Sequence, residues 1–90
     1  SGNTALGLAA KQGNENVAQM LLDRQDVFVN SRNHRGQTPL HLAVLNNHSS
    51  IARLLLKTGM ADINAQDVYG QTPLVAAAKQ IHTSTMEILL

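Results

Sequence analysis

The chain has 90 residues, 43% of them hydrophobic and 14% charged, with a formal net charge of +1. That balance supplies no long-range field to gather nucleic acid or an anionic membrane surface, so neither is expected as a partner. Cysteine is absent, which excludes disulfides and thiolate metal sites, and no apolar run approaches the ~20 residues that cross a bilayer.

Leu6, Ala9 and Ala10 recur at helical spacing and predict a short first helix over Ala5 to Gln12. Gly13 then supplies the turn between antiparallel helices, and Asn14 can cap a second helix from Glu15 to Arg24 with Val17, Met20 and Leu21 on one face. Val27, Phe28 and Val29 favour extended chain, so Gln25 to Ser31 is expected to form one arm of a hairpin. Asn33, His34, Arg35 and Gly36 make its tip. Thr38 and Pro39 start the next helix, because threonine caps free backbone donors and proline at the first position loses no hydrogen bond.

Leu40, Ala43 and Val44 form the stacking face of that helix, and Asn47 stands where the first unit has Gly13. Asparagine is the commonest non-glycine visitor to the left-handed region, so the turn is retained. Ile51, Leu54 and Leu55 repeat the face of Val17, Met20 and Leu21, and Gly59 ends the helix. Asp67, Val68, Tyr69 and Gly70 form a second tip before Thr72 and Pro73. Ile81 occupies the turn position of Gly13 and Asn47, where a β-branched residue predicts an altered turn, and Thr85, Ile88 and Leu89 continue the helical face.

A step of 34 residues carries Gly2 to Gly36 to Gly70, Thr4 to Thr38 to Thr72, Leu6 to Leu40 to Leu74, and Asn30 to Asn64. Such self-similarity marks a stacked repeat protein. With the run Gly36, Gln37, Thr38, Pro39, Leu40, His41, Leu42, Ala43, the chain resembles the ankyrin repeat family over nearly its whole length. The resemblance implies an all-α solenoid of antiparallel helix pairs joined by β-hairpin loops, one domain over 1–90 with repeats at about 1–32, 33–66 and 67–90. It also implies that His41 bonds to the threonine hydroxyl and to a neighbouring repeat, and that Asp67 binds turn amides. The first repeat lacks the proline and the histidine, and the third lacks the histidine and the turn glycine. Gln25 stands where such repeats place a glycine after the second helix. The chain starts inside the pattern and ends on apolar residues, so further repeats on both sides, or self-association through open ends, are expected.

No histidine pair lies three or four residues apart, the acidic residues are scattered, and Gly2 with Gly7 is too sparse for a phosphate cradle. Catalysis, cofactors and metals are therefore not expected. Asn47, His48, Ser49 matches the glycosylation acceptor pattern, which is read as chance without a secretion leader; the expected location is the cytoplasm or nucleus. Leu56, Asp62, Ile63 and Asn64 resemble the pattern that asparaginyl hydroxylases modify in ankyrin repeats, so Asn64 is a candidate hydroxylation site.

Stacking places the hairpin tips beside the first helices on one concave face, whose outward positions are free of folding duties. They are His34, Arg35 and Gln37 on one tip, Val68, Tyr69 and Gln71 on the next, and Lys11, Gln12, Leu45, Asn46, Lys79 and Gln80 on the helices. The expectation is a non-catalytic scaffold that binds a protein or peptide there, with Tyr69 as anchor and Arg35 facing a carboxylate. The alternative is a regulatory ankyrin segment of a larger enzyme or channel.

Overall fold

The protein is described by a computed structural model covering residues 2–24 and 26–80. Its helices are α1 (Ala5–Gln12), α2 (Glu15–Leu22), α3 (Pro39–Leu45), α4 (Ser49–Lys57) and α5 (Pro73–Gln80). α1, α3 and α5 pack side by side as an inner row, while α2 and α4 pack behind α1 and α3 and against each other. Gln25 and everything after Gln80 lie outside the described residues, and so do the expectations made for Gln25, Ile81, Thr85, Ile88 and Leu89.

Each inner helix starts the same way. The hydroxyls of Thr4, Thr38 and Thr72 accept from the backbone N–H three residues on, at 3.1, 3.3 and 3.3 Å. The bonds satisfy one of the donors that a helix start leaves open. Small residues then let the row close up: Ala9, Ala43 and Ala77, one repeat step apart, are all buried, with Leu6, Leu40 and Val44 around them. Behind them Ala18 and Ala52 play the same part in α2 and α4.

The turn between α3 and α4 keeps its expected form, since Asn47 has φ 57°, the same left-handed conformation as Gly13 at φ 78°. Two other details differ from expectation. α2 stops at Leu22 rather than Arg24, because the Arg24 N–H bonds to the Leu21 carbonyl, three residues back, and its guanidinium turns to Asp26. The face of α2 also differs: Ala18 is buried and Leu21 half-buried, while Val17 and Met20 are exposed. In α4 the corresponding Ile51 and Leu55 are fully buried.

The loops reverse as hairpins, yet the arms contain no strand among the described residues. Val29 points into the core and Phe28 is 80% exposed. Each tip is closed by two backbone bonds, from Asn33 N–H to the Gln37 carbonyl and from Asp67 N–H to the Gln71 carbonyl, both 3.0 Å, and from Gly36 N–H to the Asn33 carbonyl and Gly70 N–H to the Asp67 carbonyl, both 2.9 Å. Neighbouring tips join where Val68 N–H donates to the Arg35 carbonyl at 2.9 Å.

His41 connects these levels. It is wholly buried, its Nδ1 accepts from the Thr38 N–H at 3.2 Å, and its Nε2 donates to the Gln71 carbonyl of the next tip at 2.8 Å. This pattern requires the ring hydrogen on Nε2. The Thr38 hydroxyl lies 2.9 Å from the same Nδ1, so the role implied by the family resemblance, a bond to that hydroxyl and to the neighbouring repeat, is the observed one.

Two stability measurements follow from this packing. Replacing His41 by Ala opens a cavity and strands the buried Thr38 N–H, so urea unfolding followed by circular dichroism is expected to show a loss of about 2–4 kcal/mol. Gly36 and Gly70 have nearly the same conformation, φ 73° and 75°, but a Cβ on Gly36 would lie 3.0 Å from the Val68 nitrogen, whereas one on Gly70 meets nothing among the described residues. Gly70→Ala is expected to cost about 1 kcal/mol of backbone strain and Gly36→Ala clearly more. Equal losses would show that the tips are not in close contact.

Candidate functional site

Two tips and three inner helices build the face on which a partner was expected. In the first tip the Asn33 carboxamide does the organising: its Oδ1 accepts from the N–H groups of Arg35 and Gln37 at 2.9 and 3.0 Å. Its Nδ2 donates to the Gln37 Oε1 and, across the repeat boundary, to the Asn3 Oδ1, both at 2.9 Å. In the second tip the Asp67 carboxylate accepts from the N–H groups of Tyr69 and Gln71, each at 2.9 Å. The Asp67 role was legible in the sequence. That of Asn33 was missed, although Asn33 stands one 34-residue step before Asp67.

These turns decide how the predicted site residues are presented. Val68 and Tyr69 are 61% and 74% exposed. The phenol of Tyr69 has no hydrogen-bond partner among the described residues, while its backbone is held by Asp67. His34 and Arg35 are exposed, with the His34 ring lying against Gly2 and the Arg35 carbonyl engaged by Val68. Gln37 and Gln71 are half-buried and serve the tips. Gln37 therefore has a folding task, although it was expected among the outward positions free of one. Asn46 is exposed, yet its Nδ2 donates to the Leu42 carbonyl at 2.7 Å and closes α3.

Lys11, Leu45 and Lys79 occupy the same position of α1, α3 and α5, one repeat step apart. Lys11 and Lys79 are exposed and Leu45 is half-buried; Gln12 and Gln80 close α1 and α5. Between the first tip and the helices lies an open cavity of about 510 Å³, lined by Lys11, His34, Arg35, Gln37, Leu45 and Asn46 among others. The residues of the first two repeats expected to contact a partner, Gln12 excepted, thus share one groove, with Tyr69 on the adjoining tip.

Among the described residues no group of three or more His, Cys, Asp or Glu side chains could hold a metal, and no helix is long and apolar enough to cross a membrane. His48 serves packing: its Nε2 donates to the Lys11 carbonyl at 3.1 Å.

With a 34-residue step, threonine-capped inner helices and a histidine bonded to the next tip in place, the comparison with known families is direct. A family profile described as ankyrin repeats, three copies, matches residues 6–90. The chain belongs to the ankyrin repeat family. Ankyrin repeats are generally protein–protein interaction modules and typically non-catalytic. A search of curated proteins found no match to this ankyrin chain.

Asn64 and its counterpart Asn30 behave differently. Asn30 ties two loops together, donating to the Met60 carbonyl at 2.8 Å and accepting from the Asp62 N–H at 2.7 Å. Asn64 is exposed, and its side chain has no hydrogen-bond partner among the described residues.

Proposed function

We propose that this ankyrin chain is a non-catalytic binding module that takes a partner protein or peptide on its concave face. The observation that carries this reading is Tyr69. A large, stiff side chain stands in water on a backbone immobilised by Asp67 and by the bond between tips. Ordering it in a complex costs little conformational entropy, and aromatic side chains of this kind supply a large share of interface energy. The neighbouring Val68 extends the apolar contact, and the groove beyond it offers polar and cationic groups to the same partner. In affinity capture, Tyr69→Ala is expected to weaken partner binding by about tenfold or more with the helical circular dichroism unchanged. Equal capture by the variant would move the site elsewhere.

A second reading concerns modification, and the contrast between the two asparagines supports it. Asn64 presents an unengaged side chain in an exposed loop, where a hydroxylase using dioxygen and a co-reductant can insert one oxygen atom into a Cβ–H bond and reduce the other with the co-reductant, whereas the Asn30 side chain is held by hydrogen bonds. Coexpression with an ankyrin-directed asparaginyl hydroxylase is expected to add one oxygen at Asn64 and none at Asn30. Mass spectrometry showing unmodified Asn64 would end this reading.

A further inference from the structure

Charge is unevenly placed on a chain whose net charge is only +1. On the concave face Lys11, Arg35 and Lys79 are exposed, and none pairs with a carboxylate among the described residues. The one carboxylate of that face, Asp67, is 8% exposed and engaged by the Tyr69 and Gln71 amides. Outside the tips and inner helices, Arg24, Arg32, Arg53 and Lys57 are balanced by Glu15, Asp23, Asp26 and Asp62, all exposed. The uncompensated positive charge among the described residues therefore belongs to the concave face.

The spacing of these cations narrows the ligand further. Packed helices lie about 8–10 Å apart, and an extended chain covers that distance in about three residues. A segment crossing α1, α3 and α5 would meet Lys11, then the apolar Leu45, then Lys79, with Arg35 above the first half of its path.

We infer that the groove binds an acidic segment of its partner, with carboxylates about six residues apart on Lys11 and Lys79, an apolar side chain between them over Leu45, and Arg35 pairing a further carboxylate. This assignment rests on the concave-face reading. Carboxylates rather than phosphates are favoured because three cations around an apolar centre match a mixed acidic and apolar sequence, whereas a nucleic acid backbone presents a continuous row of charge.

The test is selection from a random peptide display library on the folded chain. Enriched peptides are expected to carry Asp or Glu on both sides of an apolar residue, and to bind less tightly as salt rises from about 0.01 M to about 0.1 M, over which the screening length falls from about 30 to about 10 Å. Lys11→Glu with Arg35→Glu is expected to weaken them about tenfold or more, and the neutral pair Lys11→Gln with Arg35→Gln by a smaller factor, both with native circular dichroism. Arg53→Glu with Lys57→Glu, which changes net charge equally on α4, is expected to leave binding unchanged. Equal loss in that control, displacement of the peptides by oligothymidine at matched concentration, or a library without binders would overturn the proposal. Selected peptides with no acidic excess that still lose affinity to Tyr69→Ala would overturn the acidic assignment alone. Binding insensitive to Tyr69, Lys11 and Arg35 changes would overturn the concave-face reading with it.

Discussion

The fold of this ankyrin chain depends on the hydrogen bonds of a single imidazole. His41 closes the start of α3 through Thr38 and reaches the Gln71 carbonyl across the repeat boundary. Because it is wholly buried, both ring nitrogens must be satisfied within the protein, and the geometry leaves only one arrangement that does so. That arrangement fixes the second tip relative to α3. The tip in turn holds Tyr69 in solvent through Asp67, so a buried polar network determines where an exposed aromatic stands.

The neighbouring connections have the same character. Asn33 reaches Asn3, Arg32 reaches the Gln66 carbonyl, and Asn30 reaches Met60 and Asp62. Each uses a side chain of one loop to satisfy a group of a neighbouring one. In a linear stack each repeat touches only its neighbours, so such bonds add along the array and no single long-range core is needed. The surface Arg24–Asp26 pair is exposed on both sides and contributes little by comparison.

Most of the architecture was legible in the residues because its causes are local. Thr4, Thr38 and Thr72 cap helices through atoms three residues away, and Asn47 adopts the turn conformation that its short polar side chain tolerates. The misplaced details depend on neighbours. Val17 and Ile51 share one place in the pattern, yet Val17 is exposed and Ile51 buried, a difference that the pattern itself does not contain. Phe28 carries strong extended-chain preference and stands in water without a strand, because no arm pairs with it. Gln37 looked free of folding duties until Asn33, four residues earlier, turned its carboxamide toward it.

By itself the sequence determined the repeat, the helix starts, the turns and the residues that stand at the tips, because each follows from a short-range preference recurring every 34 residues. Only the tertiary structure decided which of those residues are exposed and which are engaged within the fold. Gln37, Asn46 and Gln71 were drawn into hydrogen bonds that close tips and helix ends, while Lys11, Arg35, Tyr69 and Lys79 were left exposed, the first two beside one groove. The physical reason is that exposure and local charge are properties of the packed array: they arise when residues one repeat apart are brought side by side, and no single repeat contains them.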